Sequence, residues 1–187
     1  MNKKKAIAII SKSSCISLYQ NASDSSWLSN GAVFYNIGKF PYCESEEEIA
    51  NVLGFTDKQA DACTFKITDT ITNNSFPIRE TEMTHTGLIT PIGFQVVENG
   101  KSAAFFFNSA TNRAIAVNGA FLKPFDVDAI YNEYVCSDGS RVVAVSYGFI
   151  RVGFILELRQ EKEIVNKYMK VFKALIENSE ETDDVQL

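Results

Sequence analysis

One imidazole, four scattered thiols and a moderate supply of carboxylates are the groups in this 187-residue sequence that could do chemistry. A Ser-His-Asp or Cys-His mechanism would have to run through His85, because the hydroxyl or thiol needs an imidazole within hydrogen-bond reach as its base. Its setting, Glu82-Met83-Thr84-His85-Thr86, reads as polar loop, where an ordinary surface role is expected. No Gly-x-Ser-x-Gly elbow surrounds any serine. One histidine also rules out the two- and three-histidine zinc sites of hydrolases. Cys15, Cys43, Cys63 and Cys136 form no Cys-x-x-Cys pair and read as reduced, partly buried thiols, with a metal site shared between distant cysteines as the alternative. Asp126 and Asp128 could share one strand face and offer a cation two carboxylates, but after Pro124 they read as a solvated turn or helix start. Walker and Gly-x-Gly-x-x-Gly loops are absent, and Gly148 and Gly153 fall in a strand pattern, where they mark a bulge or a close packing contact. The sequence thus assigns no catalytic residue, no metal ligand and no cofactor. An enzyme built on it is expected to use carboxylates with a metal.

The net charge of −5 and pI near 5.0 disfavour nucleic-acid binding by bulk electrostatics, since neutralising phosphates is what supplies that affinity. The local alternative is a basic and aromatic sheet face drawn from Lys101, Arg113, Lys123, Arg141 and Arg151 among Phe105, Phe107, Tyr147 and Phe149. The apolar run Ala6–Ile10 behind Lys3-Lys4-Lys5 is too short for a secretory core, and no run reaches membrane-spanning length. The expectation is a cytoplasmic chain without a membrane partner.

The elements that must position these residues point to an α+β fold with a β-rich antiparallel sheet of hairpins and a meander. Ala6–Ile10, Cys15–Tyr19 and Ala32–Ile37 read as strands, the last entered through the Asn30-Gly31 turn. Ser45 with Glu48 forms a capping box for a short helix with Ile49, Val52 and Leu53 on its apolar face and Gly54 as its stop. Thr56 with Gln59 repeats the signal weakly, and Cys63–Thr68 alternates as a strand. Residues 69–87, polar and threonine-rich, read as a long loop. Asn99-Gly100 and Asp138-Gly139 mark two hairpins, Phe94–Phe107 and Tyr131–Ser146; Ala114–Val117 adds a strand and Phe149–Leu158 extends the second hairpin to a meander. From Gln160 to Ser179 the apolar period becomes helical through Ile164, Val165, Tyr168, Met169, Phe172, Leu175 and Ile176, a stripe suited to packing on the sheet or, alternatively, to a homodimer or partner contact. Residues 1–178 are read as one domain and the acidic residues 179–187 as a disordered tail.

Trp27-Leu28-Ser29-Asn30-Gly31-Ala32-Val33-Phe34-Tyr35, closing at Phe40-Pro41, resembles a Trp-x-x-[Asp/Asn]-Gly-x-Ala-x-Tyr-Pro pattern found in small uncharacterised proteins of phages and mobile elements from Gram-positive gut bacteria. Phe121-Leu122-Lys123-Pro124-Phe125, with the Asp138-Gly139 hairpin and Val142–Ser146, resembles the C-terminal part of that group. The sequence departs from the pattern in placing Asn36 where a proline would follow the tyrosine and in shifting the alanine. The resemblance implies a phage or mobile-element setting and transfers no functional residue. Within it, the expected function is a non-enzymatic interaction protein that inhibits a host defence system by binding a host protein or complex. The alternatives are a clamp-like or single-strand-binding DNA accessory and a nucleotide or small-molecule sponge. Trp27, Asn30 and Tyr35 are the expected contact residues, with His85 and Lys123 as lesser candidates; an aromatic beside a turn is a common interface anchor.

Overall fold

Ten strands and three short helices lie within residues 1–20, 25–69, 78, 82–98 and 101–158, the part of the chain described in the computed structural model. The first element corrects the sequence reading. Lys3–Ile10 is a helix, α1, not a strand. Asn2 caps it, its Oδ1 accepting a hydrogen bond from the Lys5 amide at 3.1 Å, and lysine and alanine favour the helical backbone. Ala6 and Ile10, four residues apart, are its fully buried positions. A five-residue apolar run fits either period, and here the cap and the i, i+4 spacing decide it.

The strands β1 (Cys15–Gln20) and β3 (Val33–Gly38) follow as expected, and between them Ser26–Ser29 forms a strand, β2, that the sequence reading did not assign. Gly31 takes a φ of +85° in the β2–β3 turn, where Asn30 Oδ1 accepts from the amides of Ala32 and Val33, each at 3.1 Å. Helix α2 (Glu46–Leu53) begins at Ser45, whose Oγ accepts from the Glu48 amide, and stops at Gly54 with φ +74°. Glu48 reaches back to the amide of Glu44 at 2.7 Å rather than to that of Ser45. Its buried residues are Ile49 and Ala50, while Val52, expected on that face, is exposed. Helix α3 (Asp57–Asp61) carries the Thr56–Gln59 capping box. It is followed by β4 (Thr64–Asp69), β5 (Met83–Glu98), β6 (Lys101–Asn108), β7 (Arg113–Asn118), a 3-10 turn at Gly119–Leu122, β8 (Ile130–Cys136), β9 (Arg141–Tyr147) and β10 (Ile150–Leu156).

Strand β5 shortens the expected loop, because residues 83–87 belong to the sheet and His85 stands on a strand. The expected helix at 160–179 and the acidic tail lie outside the described residues. Within them the chain is a β-rich α+β fold. The strand order is β4-β1-β2-β3-β10-β9-β8-β5-β6-β7, antiparallel throughout except for the parallel β1–β4 pair.

Strand β5 makes the sheet curl. Its first half pairs with β8 and its second with β6, and the register shifts both at His85/Gly87 and between Pro91 and Gln95. Bulges bend a strand and raise its twist, and the second shift accommodates Pro91, which has no amide to offer the ladder. Strands β6 and β7 thereby bring Phe106, Ala104, Ile115 and Val117 into one core with Val33, Tyr35, Val143, Val145 and Ile155 of the central strands. Phe106 packs on Tyr131 with ring centroids 4.8 Å apart, and burial raises the Tyr131 hydroxyl pKa to about 12. Beyond β10, the Leu158 amide bonds to the Ala116 carbonyl of β7 at 2.9 Å and draws the curled sheet towards closure.

A buried carboxylate sits on this inner side. Glu133 of β8 has no solvent exposure; Arg141 Nη1 of β9 donates to its Oε1 at 2.7 Å, and Asn108 Nδ2 of β6 donates to its Oε2. Removing one partner of a buried ion pair strands the other charge, at a cost of about 3–5 kcal/mol, whereas an apolar replacement of both is far better tolerated. Arg141→Met is therefore expected to lower unfolding free energy by about 3–5 kcal/mol in urea titration, and the double change Glu133→Leu, Arg141→Met to recover most of that loss.

Candidate functional site

Alternation along the strands gives the sheet a second, outer face, and two of the expected contact residues, Trp27 and His85, stand at opposite ends of a row on it. Trp27 on β2 stacks on Phe154 of β10, with centroids 5.5 Å apart and planes at 28°. The guanidinium carbon of Arg151 lies 5.6 Å from the Phe154 ring centre and 5.5 Å from that of Tyr134 on β8. Arg151 Nη2 also donates to the Tyr134 hydroxyl at 3.1 Å. Tyr134 is the register partner of His85 on β5, and their rings lie 5.0 Å apart. His85 Nε2 stands 3.1 Å from Asn132 Oδ1. Trp27, Phe154, Arg151, Tyr134 and His85 thus form one row across β2, β10, β8 and β5. Tyr19, tilted against Phe34 at 5.9 Å, lies beside it.

The row is graded from inside to outside. Phe154 is its buried member, continuous with the buried Phe34, Val142 and Ala144; Trp27, Tyr134 and Arg151 are half-buried, and His85 is exposed. Aromatic pairs contribute roughly 0.5–1.5 kcal/mol beyond burial, and a guanidinium over a ring about 0.5–1 kcal/mol at a partly exposed site. The stacked groups hold one another in place, so little side-chain freedom remains for a ligand to remove.

The other expected contact residues have different work. Asn30 is built into the β2–β3 turn, and its Nδ2 donates to Ser13 Oγ at 3.0 Å. Tyr35 is a core residue, which corrects its expected contact role: it is fully buried, its hydroxyl donates to the Phe121 carbonyl at 2.8 Å, and burial pushes its pKa far up. Lys123 is exposed in the loop after the 3-10 turn, away from the row. The structure also divides the basic residues considered for nucleic acid. Arg141 turns inward to Glu133, Arg151 lies in the aromatic row, and Arg113 is on edge strand β7.

Asp126 is engaged by its surroundings. Hydrogen bonding to the Met1 ammonium, 3.1 Å away, and the charge of that group hold its carboxyl below the usual range. Tyr147 Oη also lies 3.2 Å from Asp126 Oδ2. Among the described residues no three His, Cys, Asp or Glu side chains converge as a metal site. Cys15 is exposed, and Cys63 lies beside its strand, the Cys63 thiol donating to the Ser13 carbonyl at 3.5 Å; burial, and secondarily Cys15, push the Cys63 thiol up. A cavity of about 290 Å³ opens at the other end of β10, between Ala32, Phe121, Leu156 and Leu158, with Arg141 in its wall. None of the helices described is long and apolar enough to cross a membrane.

Tyr134 and Phe154 are the members of the row that sequence reasoning missed, with Asn132 beside them, while Arg151 was considered only for a basic sheet face. The signal was strand alternation: Asn132, Tyr134 and Cys136 share one side of β8. No protein-family model, curated protein or solved structure matches the chain.

Because Trp27 closes one end of the row over Phe154, Trp27→Ala is expected to cost about 3 kcal/mol of unfolding free energy, near the lower end for such truncations. Trp27→Phe should retain most of the stack and cost less than about 1.5 kcal/mol. Chemical denaturation followed by circular dichroism measures both.

Proposed function

We propose that this chain is a non-enzymatic binding protein whose outer sheet face engages a partner protein. In the phage and mobile-element setting that the sequence resemblance implies, the partner is a host protein or complex and the role is inhibition of a host defence system. One observation carries the binding reading: the preorganised row of Trp27, Arg151, Tyr134 and His85. Tryptophan, tyrosine and arginine are the residue types that dominate interface energetics, and they do so when packed among supporting contacts. The row supplies all three over a buried apolar floor.

The test is affinity capture from a Gram-positive gut bacterium, followed by titration of the purified candidate against wild type and the double variant Arg151→Ala, His85→Ala. A specific partner whose Kd weakens at least tenfold with the variant is the expected result, the variant's fold being checked by its melting curve. Recovery of no specific partner, or equal affinity for both proteins, would count against the proposal.

A second reading has a specific observation in its favour. Aromatic rings with an arginine on one sheet face also suit the stacking of unpaired bases, which would make the chain a single-strand-binding accessory. The net charge of −5 weighs against it. Gel shifts with single- and double-stranded DNA at low salt decide the matter; no retention at micromolar protein removes this alternative.

A further inference from the structure

A different part of the molecule has exposed apolar residues that the core does not use. Phe149, in the turn between β9 and β10, has a relative exposure of 109%, and Val127, in the turn before β8, has 99%. Ile150 beside Phe149 and Ile130 at the start of β8 are also exposed. The two turns stand at the same end of the sheet: Ile130 pairs with Ser146, Ile150 pairs with Tyr147, and the Tyr147 hydroxyl oxygen accepts from the Asp126 amide at 2.7 Å.

The N-terminus of α1 is fastened to the same place. The Asn2 amide donates to the Pro124 carbonyl at 2.7 Å, and the Lys5 charge helps to hold the Asp126 carboxyl low. Exposed Lys3, Lys4 and Lys5 therefore flank the turns, with exposed Lys123 just before Pro124. Lys3 Nζ lies 2.5 Å from where a Cβ on Gly38 would stand, which brings exposed Lys39 into the same group. Against these lysines stand Asp126, already engaged by Met1 and Tyr147, and Asp128. The acidic first turn of α2 stands at the same end of the sheet as Gly38 but is displaced sideways past β2, over β1 and β4, since Cys43 just before it is held by the Gln20 side chain and α2 packs on β4. An acidic protein thus carries a local cationic collar around protruding apolar side chains.

We infer that this end of the molecule docks on an anionic lipid surface, with Phe149, Val127 and Ile150 entering the interfacial region and the lysines meeting the headgroups. Two features select that occupant. The charge pattern opposes a second copy of the chain, which would bring collar against collar. Side chains that stand free of their neighbours at two turn tips suit insertion into a deformable surface, whereas a protein partner favours a broad, flat apolar patch. The expectation of no membrane partner rested on the lack of a spanning segment, and insertion from turn tips needs none. The inference is independent of the aromatic row.

The test is co-sedimentation of the full chain with vesicles of phosphatidylcholine alone and with about 30% phosphatidylglycerol added. Binding to the anionic vesicles only, decreasing with salt, is expected. The exposed double variant Phe149→Asp, Val127→Asp should weaken it at least tenfold, and Lys3→Gln, Lys4→Gln, Lys5→Gln about a hundredfold at low salt. Thermal melts of both variants confirm that they remain folded. The inference is overturned if wild type fails to sediment with anionic vesicles, if the Phe149→Asp, Val127→Asp variant sediments as well as wild type, or if this end captures an acidic protein while ignoring the vesicles.

Discussion

A carboxylate with no access to water must find its hydrogen bonds within the protein, and the way Glu133 does so joins the two halves of the sheet. Arg141 supplies the opposite charge from β9, and Asn108 supplies a donor from the end of β6. The same Asn108 amide nitrogen reaches Thr86 Oγ1 at 3.2 Å, and Thr86 donates to the Glu133 carbonyl at 3.3 Å. Asn108 Oδ1 meanwhile accepts from the amides of Ala110 and Thr111 and shapes the β6–β7 turn. One buried charge therefore fixes β8, β9, the first bulge of β5 and the hairpin that folds over the core. Such a network is favourable only when every member is satisfied, which makes its geometry as demanding as the apolar packing around it.

The two faces of the central strands divide the remaining work. The inner side takes Tyr35, Val143, Val145, Ile155 and the side chains of β6 and β7, and it accounts for most of the apolar burial. The outer side has a smaller buried floor, with rings and a guanidinium above it. Because neighbouring residues on a strand point to opposite faces, Tyr134 can serve the outer row while Glu133 anchors the inner network. A one-residue slip between β8 and β9 would exchange those roles and bring the charge outside.

Local features were legible in the sequence. Asn30-Gly31 and Asp138-Gly139 form turns as read, with Gly139 at φ +77° and Asp138 Oδ1 accepting from the Ser140 amide. The Ser45 cap, the Gly54 stop and the β8–β9–β10 meander also stand where the pattern placed them. These signals depend on residues a few positions apart. Helix α1 was misread because its apolar run spans too few residues to separate a helical period from a continuous strand. The first part of β5 was missed because its bulge breaks the alternation. The aromatic row is legible only in pieces, since Trp27, His85, Tyr134 and Phe154 meet through strand order, which no local pattern encodes. Glu133 gave no sign at all of being buried.

The pairing of β3 with β10 has a consequence for how the molecule comes into being. Tyr35 lies opposite Gly153, so the middle of the sheet is a junction between the beginning and the end of the described chain. During synthesis β1, β2 and β3 can form an antiparallel unit early, yet the inner edge of β3 must wait until β10 has been made. Closing so long a loop costs entropy before any contact repays it, and assembly through distant pairings is slow. While it waits, β3 offers an open strand edge beside apolar side chains, the kind of surface that recruits wrong partners. The nascent chain is therefore most exposed to misassembly in the interval between making its third strand and its tenth.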